Sequence, residues 1–373
     1  MSPTEHVQIF KDFIIFDYFL ANPSVLGQNN GQDYRLKSSP FSSMMVDSVK
    51  SDNFLVVFSQ DTPVVELPSR VSVLEAVEFK QLFQQLLQKI PLPETIIFDF
   101  HQTNFIDSSG IGALVSNHKS ALEQGVKTLL KNVTPQVMSV LVITGLDQRL
   151  TIQPSDNSTT LSTNKSVNHL PTTHPSVRSP VKRLIDILGA IVGLGITGIL
   201  FLPIALAIKL DSPGPIFFGQ IRCGWMGKRF RIWKFRSMCA NAEQLKEKVK
   251  NQADGKVFKN ENDPRITRVG HFLRKTSLDE LPQFWNVLKG EMSLVGTRPP
   301  TVNEVEIYEV PEWQRLNVKP GITGEWQVNG RSKIRSFEDI IQMDLKYQHH
   351  WSLAHDIRII FKTILVVVRK DGM

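Results

Sequence analysis

The stretch at positions 276–283 reads Thr276-Ser277-Leu278-Asp279-Glu280-Leu281-Pro282-Gln283. Two adjacent carboxylates stand here at a helix-start signal. Ser277 followed by Glu280 fits a capping box, whereas Pro282 better suits a helix that starts near Asp279 with Asp279 as its cap. Either start places the carboxylates at a helix N-terminus, whose free amides and dipole can also hold a phosphate. Adjacent helical residues point about 100° apart, so the two carboxylates need not share one role.

The composition is that of a globular protein with an uneven charge. The chain has 373 residues, of which 41% are hydrophobic and 21% charged, and this length favours two domains. Residues 181–373 carry a net charge of +10 by residue count, against +7 for the whole chain. This basic half indicates an anionic partner such as phosphate groups, acidic lipid or nucleic acid. The two cysteines, Cys223 and Cys239, are too few for a disulfide framework, which fits a reducing compartment.

Strand and helix patterns alternate from residue 53, after an uncertain N-terminal segment at residues 1–52. Strands are predicted at 54–58, 64–67 and 95–100, helices at 73–89 and from about 107 to 125, and the alternation continues through 128–130 and 135–144. The alternation predicts a small α/β domain over residues 53–152.

One motif of this domain resembles the signature of STAS domains, which occur in sulfate transporters and anti-sigma-factor antagonists. It reads Phe105-Ile106-Asp107-Ser108-Ser109-Gly110-Ile111-Gly112. In the antagonists the serine after the aspartate is phosphorylated, so the resemblance makes Ser108 a candidate phosphorylation site. The other interpretation is that Asp107 and Ser108 cap a helix. No catalytic constellation stands out in 53–152, which we interpret as an interaction module that regulates the chain or docks a regulatory protein partner.

Residues 153–180 and 181–210 differ sharply in composition. The first segment is rich in Ser, Thr, Asn and Pro and predicts a flexible linker. The second is apolar and long enough to span a bilayer. A spanning helix, a buried core helix and a re-entrant helix kinked at Pro203 remain as interpretations. Basic residues flank both ends, which does not favour a crossing, so we predict the re-entrant helix. Four glycines would allow close helix packing: Gly189, Gly193, Gly195 and Gly198.

A basic stretch opens the remaining segment, residues 211–373. Positions 227–238 alternate basic and apolar residues, which predicts a half-exposed strand. Interleaved basic and aromatic residues could also contact lipid headgroups. No nucleic-acid module accompanies the stretch, so we expect no nucleic-acid partner.

Several motifs stand in the order seen in the bacterial sugar transferases, the monotopic polyprenyl-phosphate phosphoglycosyl transferases. They are Asp263-Pro264-Arg265, Leu278–Gln283, Asn286–Gly290, Met292–Gly296, Arg298-Pro299 and Lys319–Gly324. Trp326–Ser332 is similar to the subgroup that transfers hexose phosphate, including the undecaprenyl-phosphate galactose and glucose phosphotransferases. Thr297 and Glu325 depart from the family pattern, although neither removes a catalytic group.

The resemblance implies a re-entrant membrane helix with an α+β catalytic domain, and a reaction. Asp279 would attack the sugar-bearing phosphorus of UDP-galactose or UDP-glucose and expel UMP, and undecaprenyl phosphate would then take the phosphosugar from the aspartyl intermediate. Asp279 and Glu280 would bind Mg²⁺, and Arg274 and Arg298 would bind phosphate oxygens. A surface salt bridge is the alternative for each arginine.

The resemblance also implies a location and a pathway. It predicts a monotopic protein at the cytoplasmic face of the bacterial inner membrane, in contact with membrane lipid, that performs the first membrane step of exopolysaccharide or other glycan biosynthesis. Homo-oligomerisation stays open. The competing interpretation is an inactive, membrane-tethered scaffold that acts through its STAS-like domain.

Overall fold

The structure is a computed structural model. It describes residues 48–50, 53–59, 62–153, 173–242, 244–245, 249, 251, 260, 262–330 and 336–369. The uncertain segment 1–52 and most of the predicted linker 153–180 lie outside these residues. The end of that linker forms a short helix, α4 (Pro175–Arg178), and the Nε2 atom of His174 before it lies 3.0 Å from the carbonyl oxygen of Gln348.

The N-terminal half is an α/β domain built on one sheet, as the alternation of patterns predicts. The sheet has the order β1-β2-β3-β5-β7-β8, and it is antiparallel across β1-β2-β3 and parallel from β3 onwards. A second, two-stranded parallel sheet joins β4 and β6. The elements are β1 (Ser48–Lys50), β2 (Leu55–Ser59), β3 (Thr62–Glu66), β4 (Arg70–Val71), α1 (Val73–Leu87), β5 (Thr95–Asp99), β6 (Phe105–Ile106), α2 (Ser108–Glu123), β7 (Lys127–Lys131), α3 (Pro135–Thr144) and β8 (Thr151–Ile152).

Aromatic side chains fill the core between this sheet and α1. The ring of Phe79 stacks on Phe54 at 5.6 Å and meets Phe98 of β5 edge-on at 5.0 Å. Phe83, one turn further along α1, packs edge-on against Phe98 as well. Because all four rings are almost fully buried, they account for the helical apolar spacing of α1 and the continuous apolar run of β5.

The C-terminal half combines one long helix with short helices and two small sheets. The elements are α5 (Pro180–Asp211), β9 (Phe217–Cys223), the 3₁₀ helix η1 (Trp225–Gly227), β10 (Arg229–Phe235), α6 (Arg268–Lys275), the 3₁₀ helix η2 (Leu278–Gln283), α7 (Phe284–Lys289), β11 (Ser293–Val295), α8 (Val302–Glu306), the 3₁₀ helix η3 (Val310–Asn317), β12 (Gly321–Thr323), α9 (Glu325–Gly330), α10 (Phe337–His349) and α11 (Leu353–Arg369). Strands β9 and β10 form an antiparallel hairpin, and β11 pairs with β12 in parallel.

Helix α5 is long and apolar enough to cross a membrane, and its most apolar 18 residues have a mean hydropathy of 2.5. Within it, the most apolar window is 22% buried, so the interpretation as a buried core helix is wrong. Large apolar side chains are exposed along its length, among them Leu188, Ile199 and Leu206, which indicates membrane association. The helix continues through Pro203. The re-entrant topology and the kink at Pro203 stay predictions.

Polar anchors hold the start of α5 on the C-terminal half. The Lys182 ammonium is buried and forms an ion pair with Asp356 of α11 at 2.5 Å. The Asp186 carboxylate accepts hydrogen bonds from the hydroxyl of Ser293 and the backbone N–H of Leu294, both at 2.9 Å. The charged residues at this end of the apolar run therefore turn towards the protein.

Two of the four glycines predicted to allow close packing do so. A Cβ atom on Gly189 would lie 2.5 Å from Leu294, and one on Gly193 would lie 2.4 Å from the ring of Phe284. Gly195 and Gly198 have nothing within 4 Å of such an atom. One face of α5 thus requires glycine where Phe284 and Leu294 of the C-terminal half lie against it.

The crowded Gly193 and the open Gly198 allow a matched pair of substitutions. Gly193→Ala is expected to lower the free energy of unfolding by about 1–3 kcal/mol, because the added methyl group must displace Phe284. Gly198→Ala should be neutral or slightly stabilising, since alanine favours a helix. Thermal unfolding of both variants in nanodiscs measures the difference. Equal melting temperatures would contradict this packing of α5.

Candidate functional site

The two central carboxylates lie in the first turn of the 3₁₀ helix η2. Ser277 before it adopts a left-handed conformation with φ of 55°, and its side chain forms no capping hydrogen bond. Both predicted caps, Ser277 and Asp279, are therefore wrong in detail, although the carboxylates do stand at a helix start. Leu278 and Leu281 of η2 pack against a buried cluster that includes Ile204 and Ile208 of α5, which fixes the turn beside the apolar helix.

Glu280 forms an ion pair that the sequence analysis missed. The Nζ atom of Lys234 lies 2.8 Å from Oε1 of Glu280, and both side chains are largely buried. Lys234 belongs to β10, on the same face as the buried Phe230 and Ile232. The alternation of basic and apolar residues breaks at this lysine, and that break was the available signal of a charge turned inward.

Arg274, one of the two predicted phosphate-binding arginines, lies in the last turn of α6. Its Nε atom donates a hydrogen bond to the hydroxyl of Ser237 at 3.0 Å. Burial lowers the pKa of Arg274, while the negative charges of Asp279, Asp263 and Glu280 oppose that shift. The predicted phosphate-binding Arg274 and the predicted dyad are thus electrostatic neighbours.

Arg298 is already paired with a carboxylate, that of Glu304. Its guanidinium donates two hydrogen bonds to Glu304 at 3.0 and 3.1 Å. Glu304 also accepts from the backbone N–H of Thr301, in a capping box that starts α8. The salt bridge considered for Arg298 therefore exists, but it is largely buried rather than at the surface, and a pair of this kind holds the guanidinium plane in a fixed orientation.

Arg222 is a further cation of this neighbourhood that sequence reasoning missed. Burial, together with the nearby charge of Arg298, lowers its pKa to about 10, while Glu304 and Glu280 oppose the shift. Its Nη1 atom donates to the carbonyl oxygen of Pro299 at 2.9 Å. The site thus combines two adjacent carboxylates with a lysine and three arginines, an arrangement suited to a ligand with several phosphate charges.

The motif at residues 263–265 has a structural role near Arg274. Arg265 and Asp263 form a buried ion pair, and the hydrogen bonds from the Arg265 side chain lower the pKa of Asp263. Arg265 also donates to the carbonyl oxygen of Ala242 at 3.1 Å. The motif therefore braces the loop before α6, which carries Arg274.

A divalent cation at this site would need ligands from a substrate. Among the residues that the structure describes, no three Asp, Glu, His or Cys side chains group in a way that could hold a metal ion. Asp279 and Glu280 provide two carboxylates, and Mg²⁺ is usually bound by one or two carboxylates together with substrate phosphates and water. The residues present fit Mg²⁺ on those terms.

A cavity of roughly 200 Å³ lies beside the dyad. Glu280 and Thr323 are among its polar lining residues, and its apolar walls include Leu281, Phe284 and Val366. A larger cavity, of roughly 310 Å³, lies between the two halves and contains none of the predicted catalytic residues.

Ser108, the candidate phosphorylation site, is fully buried at the start of α2. Asp107 caps this helix, because its carboxylate accepts from the backbone N–H groups of Ser109 and Gly110 at 2.8 and 3.1 Å. Burial raises the pKa of Asp107 to about 6, against the lowering effect of these hydrogen bonds. Capping is thus confirmed for Asp107 but not for Ser108, which is the first residue of the helix, and phosphorylation of Ser108 stays a prediction.

Comparison with known proteins assigns both halves. Residues 177–370 match the bacterial sugar transferase family, and residues 53–158 match the STAS domain. The galactosyl transferase CpsE of Streptococcus agalactiae is 53% identical over 193 residues, which are 51% of this chain and 43% of that protein. An undecaprenyl-phosphate galactose phosphotransferase of Salmonella typhimurium is 45% identical over 198 residues, 52% of this chain and 41% of that protein.

A shorter relative is matched over most of its length. The exopolysaccharide production protein ExoY of Rhizobium meliloti is 40% identical over 197 residues, which are 51% of this chain and 87% of that protein. The chain spans less than half the length of CpsE and of the Salmonella protein. The chain belongs to the bacterial sugar transferase family.

Proposed function

We propose that this chain transfers a sugar 1-phosphate from a UDP-sugar, UDP-galactose or UDP-glucose, to undecaprenyl phosphate and releases UMP. The observation that carries the proposal is the cluster of Asp279 and Glu280 with Lys234, Arg274 and Arg222 beside an apolar helix. The names of the Salmonella and Rhizobium relatives, a galactose phosphotransferase and an exopolysaccharide production protein, support this reaction and its place at the start of a glycan.

Two displacements at phosphorus make up the proposed reaction. A carboxylate oxygen of Asp279 forms a bond to the sugar-bearing phosphorus, and the bond from that phosphorus to the bridging oxygen breaks, so that UMP leaves with the electron pair. A phosphate oxygen of undecaprenyl phosphate then attacks the same phosphorus, and the bond to Asp279 breaks. The products are undecaprenyl diphosphosugar, UMP and the regenerated carboxylate.

Charge neutralisation is the main demand on the protein, because a carboxylate must approach a diphosphate. Arg274 and Arg298 suit the phosphate oxygens, since a planar guanidinium binds two oxygens at once. Lys234 holds Glu280 and reduces the negative charge beside Asp279. Bound Mg²⁺, held by Asp279 and Glu280, would supply further positive charge to the diphosphate.

The cavity beside the dyad supports a place for the lipid acceptor there. The cavity at Glu280 is mostly apolar, and residues of α11 such as Val366 and Val367 form one wall. Phe361 and Leu365 of α11 are exposed, as are Leu202 and Leu206 of α5. These apolar surfaces support a catalytic half that lies on the membrane. We propose that it does so from the cytoplasmic face, where UDP-sugars are made, with α5 re-entering on that face.

The test is UMP release by the full chain in nanodiscs with Mg²⁺. UDP-galactose, UDP-glucose and other UDP-sugars are offered separately, with and without undecaprenyl phosphate. We expect one hexose donor to give sustained release that requires the acceptor and stops when EDTA removes the cation. An inactive scaffold, the competing function, would release no UMP from any donor while remaining folded.

A further inference from the structure

The N-terminal end of α2 lies against η3 of the catalytic half. The backbone N–H of Ser108 donates to Oδ1 of Asn317 at 3.0 Å. The Ser108 hydroxyl lies 2.7 Å from the carbonyl oxygen of Trp313 and 2.6 Å from Oδ1 of Asn317, and it donates its proton to one of these acceptors. Because Ser108 is 0% exposed, these are interior contacts between residues more than two hundred positions apart.

An apolar contact continues this interface one turn further along α2. A Cβ atom on Gly112 would lie 2.5 Å from the indole ring of Trp313, so the ring can rest on the helix because residue 112 is glycine. Trp313 itself is 8% exposed. At the edge, Lys80 of α1 pairs with Glu309 at 2.9 Å, an exposed ion pair that contributes little.

Another residue of η3, Arg315, holds the backbone of Arg298. The Thr297 hydroxyl donates to the carbonyl oxygen of Arg315 at 3.1 Å, and Nη2 of Arg315 donates to the carbonyl oxygen of Arg298 at 3.3 Å. Arg315 is fully buried, where it pairs with Asp344 and donates to the Tyr308 hydroxyl. A displacement of η3 therefore acts directly on the residues that set the position of Arg298.

We propose that the STAS-like domain is a positioning device for this chain's own catalytic half. Its surface at Ser108 and Gly112 docks on η3, and η3 in turn holds Arg298 in the orientation that the transfer reaction needs. The partner of this surface is then the same chain rather than a separate protein. The effect on turnover rests on the proposed function, whereas the docking itself does not.

Two substitutions disturb the interface by different means. Gly112→Ala places a methyl group against the Trp313 ring. Ser108→Glu places a negative charge against the oxygens of Trp313 and Asn317, which has the sign that phosphorylation would bring. Ser120→Glu is the matched control, because Ser120 lies about 18 Å along the same helix from Ser108.

The first measurement needs no substrate. Hydrogen exchange of the amides at 310–317 in the full chain is expected to accelerate in Gly112→Ala and Ser108→Glu and to stay unchanged in Ser120→Glu. Unchanged exchange in both interface variants would overturn the docking. A wild-type chain that releases no UMP would contradict the proposed function alone, since the exchange result decides the docking without it.

The second measurement separates positioning from mere packing. We expect kcat for UMP release to fall about 2- to 30-fold in both interface variants, with a smaller change in KM. In an Arg298→Ala background the same substitutions should cause no further loss, because they act through Arg298. If the kcat losses of the interface variants multiplied with the loss caused by Arg298→Ala, the positioning role would be overturned. The same holds if hydrogen exchange accelerated in these variants while their kcat stayed unchanged.

Discussion

Replacing Asp279 with asparagine is expected to reduce UMP release at least about 1,000-fold, because the amide lacks the nucleophilic oxygen that forms the aspartyl intermediate. Although Asp279 is only 6% exposed, asparagine matches aspartate in shape, so the fold of η2 should persist. The loss should appear in kcat, since the chemical step itself is removed. Initial rates with the donor identified in nanodiscs measure the effect.

The matched control for this variant is Asp339→Asn, which changes an exposed carboxylate in the first turn of α10. It should retain wild-type rates. Thermal unfolding of the Asp279 variant must coincide with that of the wild type for the comparison to hold. Retained UMP release by Asp279→Asn would reject Asp279 as the nucleophile, while leaving the family membership unaffected.

Replacing Lys234 with methionine is expected to lower kcat/KM about 100-fold, the lower end of the effect of removing one donor that stabilises charge in an active site. Glu280 loses its cation at 2.8 Å, and the negative charge facing the incoming diphosphate increases. Methionine keeps most of the volume of the lysine side chain, so the hairpin of β9 and β10 should remain packed. Steady-state kinetics over a range of donor concentrations measure the change.

Two companion variants make this result specific. Lys234→Arg keeps the charge and should recover part of the lost rate. Lys228→Met removes a lysine from an exposed position at the turn of the same hairpin and should leave the rate unchanged. Equal rates for Lys234→Met and the wild type would show that the ion pair with Glu280 has no part in the reaction.

Local patterns predicted most of the elements, because each depends on neighbours in sequence. The alternating segments of the N-terminal half form the expected strands and helices, and the apolar run forms a single helix, α5. The caps at Ser277 and Asp279 failed for a physical reason. Ser277 takes a left-handed backbone, and η2 is a 3₁₀ helix whose tighter turn brings Pro282 inside it.

Local sequence patterns could not predict contacts between residues that are distant in the chain. The pairing of Lys234 with Glu280 depends on how the β9–β10 hairpin lies across η2, and only the broken alternation at this lysine hinted at it. The docking of Ser108 on Asn317 joins two halves that composition and length had separated by a linker. The functional assignments of Arg274 and Arg298 came from motif order, because an arginine at a phosphate site and one in a salt bridge look alike in sequence.

The most direct test of the proposed transfer is intact-mass and peptide mass spectrometry of the full chain incubated with its UDP-sugar and Mg²⁺ but without undecaprenyl phosphate. We expect an added hexose phosphate on the peptide that carries Asp279, and its disappearance as undecaprenyl diphosphosugar forms when the acceptor is added. An active chain that shows no adduct under rapid acid quench, or an adduct on another residue, would contradict the proposed transfer.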